Sequence, residues 1–368
     1  MGTLQNFSTR YPIWTFVVLL LVVGLAWLII APWPPGLEQA MGRKRIFLNA
    51  ILSGITLGAL YFLVASGFTL VFGLMRNVNL AHGSLYLLGG YIGYGVVEAT
   101  GYWLLAFPFV FIIVGALGLL LQHQVFRRME GQELRQTLVT IGISIVLADL
   151  MLWYWGGQSY QVLSPQWLMG PITLPFISSV RSDGQAVYLT YPVVRIAILF
   201  AAIAIGVAMW FVLNRSKLGM LIRAGVDDRD ILAASGVRIQ YVFLAVFAFG
   251  AGLAGMAGII GGTFQSLSPG EDTRFLLASL VVVIVGGMGS IPGAALGAVI
   301  IGLAEQIGLV YAPTYSVVFT FLIMAAVLAF RPQGLLGGAA LTWLMSCLPS
   351  YRESPSWRWS GSRHPFGS

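Results

Sequence analysis

The chain has 368 residues, of which 58% are hydrophobic and only 9% charged, and its net charge is +7. Soluble domains are about a quarter charged, so this composition excludes a soluble globular fold and makes lipid the solvent. The single cysteine, Cys347, excludes an internal disulfide, no Cys/His cluster has zinc-ligand spacing, and basic residues scattered between apolar segments argue against nucleic acid as a partner.

The hydrocarbon slab of a bilayer is about 30 Å thick and a helix rises about 1.5 Å per residue, so each crossing needs about 20 mainly apolar residues. In chain order such segments occupy 13–31, 48–74, 85–97, 103–125, 137–155, 193–213, 241–261, 275–286, 294–310 and 316–330. They predict an all-α integral membrane protein, a polytopic bundle of about ten spans. The first segment is long, has only Arg10 before it and lacks a small-x-small cleavage site, so it reads as a retained helix rather than a secretory signal.

Orientation follows from Lys and Arg in short loops. Arg127, Arg128 and Arg135 lie in one loop, and Arg215, Lys217, Arg223, Arg229 and Arg238 in another. Both should be cytoplasmic, with both termini inside and the polar stretch 156–191 outside. Arg43, Lys44 and Arg45 then fall on the outer side, against the rule.

Glycine, present 45 times, marks a second pattern. VFGLMRNVNLAHGSLYLLGGYIGYG over 71–95 and IVGGMGSIPGAALGAVIIG over 284–302 each run from an apolar segment through a glycine-containing break into a glycine-rich segment. Two such glycine-broken repeats mark a translocation pathway, because irregular backbone at membrane depth needs protein or a water-filled cavity beside it. Two ordinary tight turns give the same pattern. Gly250, Gly252, Gly255, Gly258 and Gly262 suit close helix packing, and Gly258/Gly262 and Gly293/Gly297 have small-xxx-small spacing.

Four ionisable residues fall in or beside spans, His82, Asp149, Arg195 and Glu305, and each is costly there unless it serves a purpose. His82, with Asn77 and Asn79, reads as a polar knot at the first break or as a proton relay. Asp149 and Glu305 either pair with another helix or face an aqueous path. Arg195 opens its span and snorkels to the interface.

Nothing resembles a catalytic constellation, so the chain reads as a non-enzyme. Its lysines, Lys44 and Lys217, follow Arg43 and Ser216 rather than glycine, which excludes a P-loop. Gly287, Gly289 and Gly293 come close to a dinucleotide fingerprint, but the third glycine is one position late and no strand precedes it. The stretch LGMLIRAGVDDRDILAASGVRIQ over 218–240 predicts a short amphipathic helix over 218–235, stopped by Gly236 in the left-handed conformation that glycine adopts cheaply. Such a helix suits a groove on a partner; a solvated loop is the other reading.

Three stretches resemble one known family. They are GITLGALYFLVASGFTLVFGLMRNVNLAHGSLYLLGGY over 54–91, IRAGVDDRDILAASGV over 222–237, and VVVIVGGMGSIPGAALGAVIIGLAEQ over 281–306 followed by RPQGLLG over 331–337. In this order they resemble the permease subunits of branched-chain amino-acid ABC importers of the LivH type. The resemblance implies a membrane permease domain, taken as 1–337, with a coupling loop at 214–240; the helix at 13–31 and a cytoplasmic tail at 338–368 look like additions to the usual length of the family. It implies that Arg223, Ala224, Asp228 and Gly236 engage the ATPase, and that Asn79, His82, Gly83, Gly287, Gly289, Ser290, Pro292 and Gly293 border the translocation path.

It further implies a second permease subunit, two ATPases that carry ATP and magnesium, an extracytoplasmic solute-binding protein, surrounding membrane lipid and a place in the bacterial inner membrane, with no cofactor in this chain. Asp149 stands where the family pattern suggests a neutral amide. Urea-type permeases share the motifs, so urea or short amides stay open as cargo. An ion-coupled carrier using His82, Asp149 or Glu305 is the rival from another class.

Overall fold

The computed structural model describes residues 44–336 apart from 76–77, 130, 181–185, 228–231, 233–235 and 237. The expected helix at 13–31, the tail at 338–368 and Asp228 lie outside the described residues. Ten α-helices are described: α1 Lys44–Met75, α2 His82–Thr100, α3 Trp103–Gln124, α4 Glu133–Trp155, α5 Val193–Arg215, α6 Lys217–Asp227, α7 Ile239–Phe264, α8 Glu271–Gly286, α9 Ile291–Tyr311 and α10 Ser316–Phe330. The chain is a multi-pass α-helical membrane protein.

Among the described residues seven helices are long and apolar enough to cross a bilayer: α1, α3, α4, α5, α7, α9 and α10. Nine of the ten expected segments fall on described residues, and seven of the nine meet this length and hydropathy. The segments expected at 85–97 and 275–286 are α2 and α8, and these two fall short. Helix α8 has 16 residues and so rises only about 24 Å, less than the slab. Helix α2 has 19 residues but is diluted by glycine, His82 and Glu98. Both begin inside the bundle, since His82 lies against Val64 and Gly67 midway along α1, and Gly83 abuts Asp272 at the start of α8.

The fold is also not purely helical. Pro171–Val180 (β1) and Ala186–Pro192 (β2) pair as an antiparallel hairpin from Pro171↔Pro192 to Val180↔Ala186. The reason is legible in the sequence of β2, where Val187, Tyr188, Leu189, Thr190 and Tyr191 form a β-branched and aromatic run, and in the turn-forming residue types of Ser182-Asp183-Gly184 that precede it.

Helices α1 and α7 are apolar around most of their circumference, the pattern of a helix enclosed by others, and they are the most buried spans. Helix α9 lies along α1 in the opposite direction, with Gly54 at Leu303, Gly58 at Ala298 and Gly73 at Gly289. Helix α7 touches α1 where Gly67 meets Gly250, and α3 where Gly115 meets Ala248. With no side chain in the way, backbones approach closely and gain dispersion contacts that lipid tails cannot match.

The same contacts sort the loops by side. Phe126 and Met129 after α3 share a buried cluster with Ile222 of α6 and with Leu70 and Val71 near the end of α1. Both arginine-rich loops are therefore at one end of the bundle. At the other end Arg195 donates to Ser53 Oγ at 2.7 Å and its guanidinium lies over Tyr191 and Phe264, while the Tyr191 hydroxyl is 2.8 Å from Thr56 Oγ1. Arg195 is thus tied to α1 rather than only snorkelling, and Lys44 lies at the hairpin end, as the loop count requires.

Candidate functional site

At the first break two of the three expected polar residues, Asn79 and His82, are buried, and Asn77 lies outside the described residues. Asn79 is buried and its Oδ1 accepts from the Ala81 N–H at 3.1 Å, which turns the chain into α2. His82 is enclosed. Its Nε2–H donates to the Val64 carbonyl at 3.0 Å, and its ring meets Phe68 edge-on at 5.4 Å between centroids. A histidine placed this way satisfies backbone and packs against an aromatic ring. At Gly83 a Cβ would collide with the Asp272 carbonyl, so glycine is what lets α2 meet α8.

The second break is a capped turn. Gly287 and Gly289 have φ of 108° and 81°, a region in which a side chain is strained. Ser290 caps α9 by accepting from the Gly293 N–H at 3.1 Å, and Pro292, which is exposed, occupies the first turn where its missing donor costs nothing. Gly293 faces Gly286 so closely that neither admits a Cβ.

Helix α8 would leave carbonyls unpaired here. Leu335 and Leu336 donate to the carbonyls of Val285 and Gly286 at 2.8 and 2.9 Å, so the RPQGLLG stretch supplies the C-terminal cap. Gly73, near the end of α1, meets Gly289 of the second break.

The residues that sequence reasoning missed lie at the start of α8. Asp272 is buried and its Oδ2 accepts from Ser84 Oγ of α2 at 3.3 Å; Ser84 Oγ is in turn 2.7 Å from Ser144 Oγ of α4. Arg274 forms ion pairs with Glu271 at 3.4 Å and with Glu305 of α9 at 3.3 Å, and donates to Gln265 Oε1 at 3.2 Å. The other oxygen of Glu305 accepts from the Tyr61 hydroxyl of α1 at 2.6 Å. Tyr61 and Tyr86 both pack on Phe275. Glu305 therefore pairs with other helices, one of its two sequence readings. The available signal was Gly270-Glu271-Asp272-Thr273-Arg274, acidic residues opening a helix just before an apolar run.

Asp149 lies elsewhere, exposed on α4 among exposed Ile145, Val146 and Leu150. Two cavities, about 400 Å³ between α3, α5 and α7 and about 790 Å³ between α2, α3 and the end of α4, are lined by neither break's residues.

On the arginine-rich side, α6 is capped by Ser216, whose Oγ accepts from the Gly219 N–H at 3.0 Å. Gly219, Ile222 and Gly225 face inward, while Lys217, Met220 and Ala224 are exposed, the three-and-four spacing of an amphipathic helix. Arg223 is half-buried and donates to Asn214 Oδ1 at 2.8 Å. Helix is described to Asp227 and again at Leu232, the rest of the expected stretch to 235 lying outside the described residues; Gly236 is exposed at φ 84°, as its stop role requires.

Buried glycine-packed spans, a short pair of helices starting inside the bundle and an exposed amphipathic helix at one end define the membrane subunit of a transport machine. The chain belongs to the family of branched-chain amino acid transport system permease components, whose profile matches residues 50–328, from α1 to α10. It is 28% identical over 306 residues to the high-affinity branched-chain amino acid transport system permease protein LivH of Escherichia coli K12, covering 79% of this chain and 96% of that one. BraD of Pseudomonas aeruginosa is 28% identical over 303 residues with the same coverage, and LivM of Salmonella typhimurium 26% over 337 residues, 82% and 77% of the two chains. No solved structure matches.

Proposed function

We propose that this chain is one permease of an ATP-driven importer that carries branched-chain amino acids across the bacterial inner membrane. The observation that carries the reading is a family match running unbroken through both glycine breaks, the Arg274 cluster and α6. ATP and its magnesium bind on two partner ATPases, an extracytoplasmic binding protein delivers the solute, and a second permease, either a LivM-like chain or another copy, completes the pore. This chain supplies no cofactor. The ATPases shift the bundle between outward and inward openings, each bound partner contributing its differential affinity for the two states.

Arg223, Ala224, Asp228 and Gly236 form the ATPase contact. The exposed stripe of Lys217, Met220 and Ala224 supports it, because an amphipathic helix with apolar side chains facing water is suited to a groove. Asn79, His82, Gly83, Gly287, Gly289, Ser290, Pro292 and Gly293 act on the pathway by holding its helices rather than by lining it.

A division of the bundle into two similar halves has a supporting pattern in the order of elements, though with other segments paired than the glycine-broken 71–95 and 284–302. Helices α1 to α4 and α7 to α10 each run in the order long helix, short helix and two further helices, the short helices beginning at His82 and Glu271. Helix α1 packs on α9 as α7 packs on α3. This pairs the first break with 265–270 rather than with 287–290.

Reconstitution into vesicles with the ATPases, second permease and binding protein tests the function. Leucine is expected to stimulate ATP hydrolysis and to accumulate inside. Stimulation by urea or short amides with none by any amino acid overturns the substrate class, and uptake that survives ATP depletion but collapses with a protonophore overturns the energy source.

A further inference from the structure

We infer that Arg274, with Glu271 and Glu305, forms a binding station on the translocation pathway for the charged end of a zwitterionic amino acid. The guanidinium takes the α-carboxylate and one of the two carboxylates takes the α-ammonium. The inference rests on the amino-acid reading above and deepens it.

Depth is the first observation. Glu305 lies six residues before the end of α9, roughly 9 Å along its axis, and its partner Tyr61 lies near the middle of the 32-residue α1. Charge at such depth is expensive against hydrocarbon, so ionisable groups there turn toward protein or water. Yet the Arg274 side chain is 42% exposed and those of Glu271 and Glu305 are 22% and 19% exposed. A face with three charged groups partly open is a wall of an aqueous passage and not a lipid surface.

The second observation is how differently the members are held. The phenol of Tyr61 fixes Glu305 through a short hydrogen bond of 2.6 Å, and Tyr61 is itself enclosed. Arg274 makes three long contacts, 3.2 to 3.4 Å, where a well-formed guanidinium–carboxylate pair is about 2.8 Å. Its planar fork is only loosely engaged, so a carboxylate arriving from the passage replaces weak contacts with a two-pronged pair.

Charge balance is the third. Two carboxylates face one guanidinium, and the surplus negative charge matches the ammonium of a zwitterion. A neutral amide such as urea can hydrogen-bond to both ends of the cluster but brings no charge to match either. Below it, Phe275 lies 5.8 Å from the Arg274 guanidinium and packs with Tyr61 and Tyr86, so the polar station is backed by an aromatic floor.

The test uses the full transporter in vesicles. Arg274→Gln is expected to raise the KM for leucine at least tenfold with complex yield unchanged, and Arg274→Lys to restore part of the loss. Arg274→Cys in a Cys347→Ser background is expected to react with a membrane-impermeant cationic thiol reagent added outside, and more slowly when leucine-loaded binding protein and ATP are present. The inference is overturned by a leucine KM within twofold of wild type in Arg274→Gln, by uptake that falls only in proportion to complex yield, or by an Arg274→Cys variant that the reagent leaves unmodified. A wild-type transporter that carries no amino acid overturns the parent reading instead, and thiol labelling still reports whether this face meets water.

Discussion

Two glycines six residues apart on α2 should respond in opposite ways to the same added methyl group. A Cβ at Gly89 would overlap the Cα and the carbonyl oxygen of Gly255 on α7, whereas one at Gly95 meets nothing within 4 Å. Both sites gain the same helix propensity on change to alanine, about 1 kcal/mol, so the difference between the variants isolates the clash. Because the obstacle at Gly89 is backbone, α2 and α7 must part rather than a side chain rotate. Overpacking of this kind costs about 1–3 kcal/mol, and the upper end applies here. We expect Gly95→Ala to stabilise by up to about 1 kcal/mol and Gly89→Ala to lie about 3 kcal/mol below it. Reversible unfolding in mixed micelles, titrated with SDS and followed by tryptophan fluorescence, measures both. Gly89→Ala as stable as Gly95→Ala would show that α2 and α7 are not in backbone contact, and the description of α2 as a helix wedged into the bundle would fail.

Ser290→Ala removes the hydrogen bond to the Gly293 N–H and should cost about 1 kcal/mol in the same titration, with Ser290→Thr near wild type; no loss on Ser290→Ala would rule out the cap. At the arginine-rich end, Ala224→Trp and the pair Asp228→Arg with Gly236→Trp should reduce ATPase co-purification and uptake together at least tenfold while the unfolding curve of the bundle stays in place. Retained co-purification and uptake in both would remove the coupling assignment.

How much of this was legible in the sequence depends on the range over which each signal acts. Spanning helices are local: an apolar run of the right length in lipid must satisfy its own backbone, and nine of the expected segments that fall on described residues are helical. Caps and stops are local too, as at Gly236 and at the Ser290–Pro292 start of α9. What composition could not decide is where a helix begins in depth. Helices α2 and α8 look like short spans until His82 is seen against Val64 and Gly83 against Asp272.

The same limit governs the site. Glu305 is conspicuous inside an apolar run, but its partners Tyr61 and Arg274 are 244 and 31 residues away, and nothing periodic connects them. In the sequence, charge at the mouth of a span, as at residues 271–274, looks like an ordinary solvated loop. Their meaning comes from the fold, which sets the start of α8 inside the bundle instead of at its rim, so that charges that would be inexpensive in water become expensive. The glycine breaks show the converse. Their residues are plain in the sequence, and in the structure they cap a helix and let backbones meet, while the partly exposed charge of Arg274 belongs to residues with no motif around them.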